Sequence, residues 1–286
     1  MIRTSTDEVR LVWRLILILV LFVAMEVLLR LIPIGLIAAS MVKAGTAQAS
    51  AVESARAIVF EDPIWSTGIG VLVGIMGFLI VWLMVRGIEK TAFTWKAIGL
   101  DWRRSSFSMI LLGALLALIL FAAYGLMGCL FGCSDASLPE LFKGTSLAGF
   151  FQGFLLFTAM GFSEEVVFRA YVQTRLINKI GVIWGVLGAA AIFTLLHQIS
   201  YSLSLVTILS GILLWTTLGA LYHLTQSLYL VGTFHALMNT MLNTLNLEVG
   251  DIPALIVHAL ALLTLVLFVR FKAGRRGNAS NPAEGT

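Results

Sequence analysis

Charged residues are scarce in this sequence, and their scarcity excludes most soluble folds. Only 12% of the 286 residues are Asp, Glu, Lys or Arg, whereas 59% are hydrophobic. Soluble globular domains carry about 25% charged residues. We therefore interpret the chain as a polytopic membrane protein in a lipid bilayer. The basic residues form no patch interleaved with aromatic residues, so a nucleic-acid partner is not expected.

Cysteine and histidine are also rare, with two and four copies in the chain. Cys129 and Cys133 stand four positions apart beside a predicted loop, a spacing that allows either a local disulfide or simple packing. Because that loop holds no histidine and no further cysteine, a metal site there is not expected. The first apolar run, 11–39, is longer than the ~7–15 residues of a signal-peptide core, so we predict an uncleaved helix.

Long apolar runs make up most of the chain. A helix needs about 20 apolar residues to cross a bilayer, and runs of that length predict an all-α membrane protein with about eight transmembrane helices. In the first run, Glu26 and Arg30 are spaced to form a neutralising pair along one helix face, which favours a structural role. The predicted spans are 11–39, 65–86, 106–129, 147–175, 181–201, 203–222, 228–246 and 252–271.

The distribution of lysine and arginine predicts the orientation of these spans. With both termini in the cytoplasm, fourteen of these residues lie on the cytoplasmic side and three on the other side, as the positive-inside rule requires. The loop 86–104 carries Trp95 and Trp102 among basic residues and suits a short helix at the cytoplasmic interface. Compact loops favour a bacterial inner membrane.

Three regions are predicted from this pattern. Residues 1–146 comprise the first three transmembrane helices with the interfacial loop, 147–272 form a helical core, and 273–286 form a disordered cytoplasmic tail.

Charged side chains interrupt the fourth predicted span. Glu164, Glu165 and Arg169 fall within six residues of otherwise apolar sequence. A charge at the bilayer centre costs roughly 2.5–3.5 kcal/mol on insertion scales, so such residues indicate a functional site. Glu165 and Arg169 have the spacing of a favourable ion pair along a helix. Since Glu164 is rotated by about 100° from its neighbour, Arg169 can hold one carboxylate while the other faces elsewhere.

Histidines occupy two other predicted spans. His197 follows Phe193 by one turn in the fifth span, and His235 precedes Asn239 by one turn in the seventh. If spans four and five form a hairpin with its turn near residues 180–181, Glu164 and His197 lie at nearly the same depth. His235 reaches that depth if the hairpin extends into the cytoplasm, which predicts a cavity open to that side. Single histidines in spans are commonly structural, and we assign His223 and His258 that role.

These residue types suit hydrolysis of a carbonyl compound. A carboxylate shielded from bulk water in a helical bundle can act as a general base on a water molecule. A facing histidine can orient that water or pass a proton to the leaving amine. A second histidine and an asparagine can donate to a developing oxyanion, for which one donor contributes about 3–4 kcal/mol in known cases. Ser163 is interpreted as an incidental polar neighbour.

The combination resembles the CPBP family of CAAX proteases and bacteriocin-processing enzymes, also called the ABI family. Each motif alone is weak, but all three occur in the family's order, each on its own predicted span. Ala170 stands where the family usually has glycine. The motifs are Glu164-Glu165-x-x-x-Arg169, Phe193-x-x-x-His197 and His235-x-x-x-Asn239.

The resemblance implies a fold like that of the type II CAAX prenyl endopeptidase and the activity of an intramembrane endopeptidase. The substrate would be a membrane-associated protein or peptide. By the same resemblance, Glu164 and His197 would activate water, and His235 and Asn239 would form the oxyanion hole.

The resemblance also implies that Glu165 and Arg169 hold the catalytic glutamate in place. The family is often labelled a metalloprotease, and the catalytic glutamate with the two histidines could supply three zinc ligands. A metal-free glutamate mechanism uses the same atoms. We expect no required cofactor, because asparagine is a poor zinc ligand but a good oxyanion donor. The alternatives are a non-catalytic protein of the same fold, such as a bacteriocin-immunity protein or scaffold, and less favoured, a transporter.

Overall fold

A computed structural model describes residues 5–132, 138–197 and 204–279, and every regular element within these ranges is helical. The all-α prediction is therefore confirmed. The helices are α1 (Ser5–Lys43), α2 (Gln48–Glu61), α3 (Pro63–Leu83), α4 (Arg104–Leu130), α5 (Leu138–Leu141), α6 (Leu147–Glu165), α7 (Thr174–Ile180), α8 (Val182–His197), α9 (Leu205–Thr225), α10 (Leu228–Thr244) and α11 (Asp251–Ala279).

Two π-helical segments extend these helices without a break. The first, π1 (Met84–Ile88), continues α3, and the second, π2 (Val166–Gln173), joins α6 to α7. All eight residues of π2 are buried. Wide π turns are rare and occur frequently at functional sites. The longer of these two rare segments therefore begins directly after the Glu164–Glu165 pair.

Local sequence explains where several helices begin and end. Asp62 Oδ1 accepts hydrogen bonds from the amides of Ile64 and Trp65, at 2.9 and 3.1 Å, and caps α3. Ser204 Oγ accepts from Thr207 N at 3.1 Å and caps α9 in the same way. Side-chain oxygens at this position satisfy amides that the helix cannot. Gly181, with φ +83°, separates α7 from α8 at the predicted hairpin turn.

Five of the described helical stretches are long and apolar enough to cross a membrane: Arg10–Lys43, Pro63–Ile88, Arg104–Leu130, Leu205–Thr225 and Asp251–Lys272. Leucines such as Leu31, Leu36 and Leu118 on these stretches are more than half exposed, as expected of a surface that faces lipid. The chain is an integral membrane protein. Shorter or more polar helices cover the other three predicted spans, so the count of eight stays a prediction.

Glycines bring α3, α6, α4 and α10 into close contact. A Cβ on Gly77 of α3 would lie 1.9 Å from Ser163 Oγ, and one on Gly113 of α4 would lie 2.3 Å from the carbonyl oxygen of Leu230. On α6, a Cβ at Gly161 would lie 3.4 Å from His235 Cγ. Small residues allow membrane helices to approach closely. The two helices that carry the candidate carboxylates and His235 are packed directly together.

Three expectations need correction. The segment 48–61, interpreted as loop, forms α2, because Ala51, Ala55 and Val59 recur at helical spacing and are buried, in an apolar cluster that includes Ile34 and Ala38 of α1.

The prediction of an interfacial helix in the loop 86–104 is wrong. After π1 the chain forms turns, and Gly99, at φ +77°, places its carbonyl oxygen 3.0 Å from Leu228 N at the start of α10. This contact requires a turn where an interfacial helix was expected. The indoles of Trp95 and Trp102 in this loop are exposed, and their placement at the membrane interface stays a prediction.

The predicted tail boundary at residue 273 also needs correction, because α11 continues to Ala279, and residues 280–286 lie outside the described residues. The sequence from Lys272 to Arg276 contains alanine, lysine and arginine, which are good helix formers. Cys133, and with it the predicted choice between disulfide and packing, lies outside the described residues. Cys129 is exposed at the end of α4.

Candidate active site

Glu165 is the most completely bound of the candidate residues. Its Oε2 accepts a hydrogen bond from Arg169 Nε at 2.9 Å, and its Oε1 lies 2.9 Å from His235 Nδ1. The side chains of Glu165 and Arg169 are fully buried, and His235 is 2% exposed. The ion pair anticipated from the four-residue spacing is present, and it also reaches α10.

Glu164 lies at the other ring nitrogen of the same histidine. Its Oε2 is 3.5 Å from His235 Nε2, and the side chain is 14% exposed. This oxygen is buried and makes no hydrogen bond within the described chain. The adjacent carboxylates therefore face different surroundings: Glu165 is held by two partners, whereas Glu164 is available for a further one.

The Glu26–Arg30 pair of α1 forms as predicted. It lies close enough to Glu164 for both of its charges to act on that carboxylate. Glu26 Oε1 is buried without a hydrogen-bond partner among the described residues. The first helix therefore contributes charges to the surroundings of the site, which the sequence motifs did not indicate.

His197 is placed by the last turn of α8, where its Nδ1 lies 2.9 Å from the carbonyl oxygen of Phe193. The Phe193 ring contacts Phe168 of π2 and His197, with centroid distances of 4.6 and 4.5 Å. The His235 ring lies 6.1 Å from the same phenyl ring. Phe193 thus brings together the histidine of its own helix, the π segment and the histidine of α10.

Trp215 of α9 completes this aromatic cluster and was not predicted. Its ring lies 4.4 Å from Phe193, 4.8 Å from His235 and 6.5 Å from His197, centroid to centroid. Arg169 lies 5.6 Å from the same ring. Nothing in its local sequence distinguishes this tryptophan from one that faces lipid, so only the packing of α9 reveals it.

Asn239 lies one turn after His235 on α10 and is half-buried. Its backbone carbonyl accepts from Asn243 Nδ2 at 2.8 Å. Ser163, one residue before Glu164, donates instead to the carbonyl of Val73 at 3.1 Å and ties α6 to α3. That Ser163 is incidental to the chemistry stays a prediction.

His258 has a structural environment away from these residues. It is buried, with Nδ1 2.9 Å from the carbonyl oxygen of Ser210, and it is hydrogen-bonded to the hydroxyl of Tyr124. It therefore links α4, α9 and α11.

The residues do not fit the zinc site that was left open. Within the described ranges, no group of three His, Cys, Asp or Glu side chains is arranged to hold a metal ion. Both ring nitrogens of His235 are directed at carboxylates, Nδ1 at Glu165 and Nε2 at Glu164. No step below is assigned to a metal.

The arrangement can perform acid–base chemistry in a site shielded from bulk water. One carboxylate is fixed by a buried arginine, a histidine stands between the two carboxylates, and the second carboxylate has a buried oxygen with no hydrogen bond among the described residues. Such pairs divide structural and proton-transfer roles between chemically identical groups. Fold and site together define an integral membrane protein with a buried carboxylate–histidine centre.

Comparison with known proteins connects this centre to a family. Residues 145–241, about a third of the chain, match the family model described as Type II CAAX prenyl endopeptidase Rce1-like. All seven named motif residues lie in that stretch. The resemblance found in the motifs is thereby confirmed, and residues 145–241 are similar to the Rce1-like family. No curated protein and no solved structure gave a significant match.

Proposed function

We propose that the protein is an intramembrane endopeptidase that hydrolyses a peptide bond in a membrane-associated protein or peptide. The observation that supports it most is the difference between the two adjacent carboxylates within the matched stretch. Glu165 is bound by Arg169 and His235, whereas Glu164 retains a buried oxygen without a hydrogen bond in the described structure. A general base needs such an available oxygen within a shielded site.

In the proposed reaction, Glu164 removes a proton from a water molecule, and the water oxygen forms a bond to the carbonyl carbon of the substrate. The carbon–nitrogen bond then breaks, and the proton passes to the leaving amine. His197 is assigned the orientation of the water and transfer of this proton. The products are a carboxylate and an amine, and no oxidant or further reactant is required.

We assign stabilisation of the negative charge that develops on the substrate's carbonyl oxygen to hydrogen-bond donors on α10. His235 Nδ1 is directed at Glu165 and Nε2 faces Glu164, so we assign Nε2 as the nitrogen that donates to the substrate. Donation from Nε2 while Nδ1 also donates requires both ring nitrogens to carry protons. The Asn239 amide, one turn later, is the second donor. Donors aimed at such an oxygen act most strongly where bulk water is excluded.

Cleavage of a panel of membrane-anchored and prenylated peptides tests this proposal. Wild type, Glu164→Ala and Glu53→Ala are purified in detergent and assayed with and without a zinc chelator. Glu53 is an exposed carboxylate on α2 and serves as the matched control. We expect cleavage by wild type and by Glu53→Ala, with or without chelator, and no cleavage by Glu164→Ala.

Each other outcome has a distinct meaning. Cleavage that survives Glu164→Ala contradicts the assignment of the base. Loss of cleavage with the chelator, reversed by added zinc, contradicts the metal-free mechanism. Failure of folded wild type to cleave any peptide favours a non-catalytic protein of the same fold.

A further inference from the structure

Arg169 has donor groups that the ion pair with Glu165 does not use. Its Nε donates to Glu165, but Nη1 and Nη2 are both buried without a hydrogen-bond partner among the described residues. The guanidinium carbon lies 5.6 Å from the ring centroids of Phe193 and Trp215. Aromatic faces attract the charge, yet buried N–H groups nearly always have an acceptor as well. The terminal nitrogens therefore require a further partner.

Gln173 and Thr216 also carry buried polar atoms that have no hydrogen-bond partner among the described residues. Gln173, one turn after Arg169, is fully buried and donates through Nε2 to the Gly219 carbonyl at 2.8 Å, but its Oε1 has no partner in the described chain. Thr216 of α9 is 8% exposed, and its hydroxyl is likewise buried and unpartnered there. The adjacent Thr217 differs, because its hydroxyl donates to the Leu213 carbonyl at 2.9 Å.

The contacts between π2 and α9 place Arg169 and Gln173 against the segment of α9 that carries Thr216. On α9, Trp215 contacts Arg169 and Gly219 contacts Gln173. Thr216 lies within one helical turn of both. A Cβ on Gly219 would lie 2.5 Å from Gln173 Oε1, so glycine at this position makes room for the amide.

We propose that Arg169, Gln173 and Thr216 form a buried hydration site between π2 and α9. The donor and acceptor inventory selects the ligand. The Arg169 nitrogens only donate, Gln173 Oε1 only accepts, and the Thr216 hydroxyl does both. An anion would oppose the Gln173 oxygen, and a cation would oppose Arg169. Water satisfies all three, and buried waters commonly make about three hydrogen bonds.

The proposed hydration site is linked to the candidate base Glu164 through a series of contacts that begins at Arg169. Water bound at the terminal nitrogens fixes the Arg169 side chain, whose Nε orients Glu165, and Glu165 in turn orients His235. Gln173 and Thr216 are therefore positioning residues. The positioning role rests on the proposed hydrolysis, whereas the hydration site does not depend on it.

Density for ordered water tests whether the hydration site exists. A structure of the full chain in lipid nanodiscs, at a resolution that shows bound water, is expected to contain density within ~3.2 Å of an Arg169 terminal nitrogen and of Gln173 Oε1 or Thr216 Oγ1. A dry contact in which these side chains bond directly to one another, or density for a non-water ligand, overturns the hydration site. This measurement requires no substrate.

Three threonine variants decide the positioning role. Thr216→Val removes the hydroxyl without changing side-chain shape, Thr216→Ser retains it, and Thr217→Val removes a hydroxyl that bonds only within α9. Because small displacements of catalytic groups are costly to rate, we expect about tenfold lower kcat with unchanged KM for Thr216→Val. Thr216→Ser and Thr217→Val should resemble wild type. Equal kcat for the two valine variants overturns the positioning role while leaving the water density to be judged by itself.

Discussion

Glu164 and Glu165 are neighbours in sequence but stand at opposite ring nitrogens of His235. Glu165 lies 2.9 Å from Nδ1, and Glu164 lies 3.5 Å from Nε2. Only Glu165 is also bound by Arg169, at 2.9 Å. The two carboxylates are thus predicted to respond differently to the same substitution.

Glu164→Gln should remove activity and leave the fold intact, because no arginine among the described residues is bound to its carboxylate. Glu165→Gln should unfold more readily, since it leaves the buried Arg169 charge without its partner. Breaking a buried ion pair on one side costs about 3–5 kcal/mol. Peptide cleavage and thermal unfolding of both variants in detergent measure the difference. Equal destabilisation by the two substitutions would contradict this division of roles.

The aromatic cluster gives a second prediction. Trp215→Leu removes the ring that contacts His197, His235 and Arg169, and kcat should fall roughly tenfold as these groups lose orientation. Trp184→Leu provides the control, because that indole is 67% exposed on α8. Steady-state cleavage by folded variants measures both effects. A Trp215→Leu enzyme as active as Trp184→Leu would exclude an orienting role for the ring.

Much of this site could be predicted from sequence because its key contacts are local or tied to helical spacing. The Glu165–Arg169 pair follows from four-residue spacing, and the hairpin turn at Gly181 brings α7 and π2 against α8. The spacing also indicated that Glu164 would face away from Arg169. These relationships depend on the geometry of one helix or one turn.

Contacts between distant helices could not be predicted in the same way. The sequence does not determine which carboxylate pairs with which nitrogen of His235, because that depends on how closely α6 and α10 approach at Gly161. Trp215 and the Glu26–Arg30 pair reach the site through the packing of α9 and α1. The helix α2 was missed because its buried face consists of alanine and valine within a sequence that also carries charges.

The free energy of unfolding should depend on pH through Glu89, which directly follows π1. Glu89, which follows the last spanning residue of that stretch, accepts from Tyr171 at 2.9 Å and from Arg175 Nη2 at 2.7 Å. Burial alone would raise the pKa of Glu89, but the hydrogen bonds and charge of Arg175, with smaller contributions from Tyr171 and Arg14, bring this pKa below its ordinary value of 4.5.

The sign of the effect follows from this lowered pKa. The stabilisation is fully present above about pH 4.5 and is lost as pH falls further, because the unfolded chain takes up the proton first. Unfolding free energies measured from neutral pH to about pH 3 should decrease less steeply below pH 4.5 in Glu89→Gln than in wild type. The exposed-site variant Glu53→Gln should retain the wild-type slope, and an unchanged slope in Glu89→Gln would refute the prediction.

Close packing between α4 and α10 provides a prediction that does not depend on catalysis. A Cβ at Gly113 would lie 2.3 Å from the backbone oxygen of Leu230, whereas a Cβ at Gly68 of α3 would meet nothing within 4 Å. Backbone atoms cannot rotate away, so Gly113→Ala must separate the helices, at a cost of roughly 1–3 kcal/mol typical of overpacking. Gly68→Ala should be neutral or stabilising, because alanine favours helix. Thermal unfolding of the two variants in the same detergent compares them directly. A Gly113→Ala protein as stable as Gly68→Ala would show that α4 and α10 are farther apart than this structure places them.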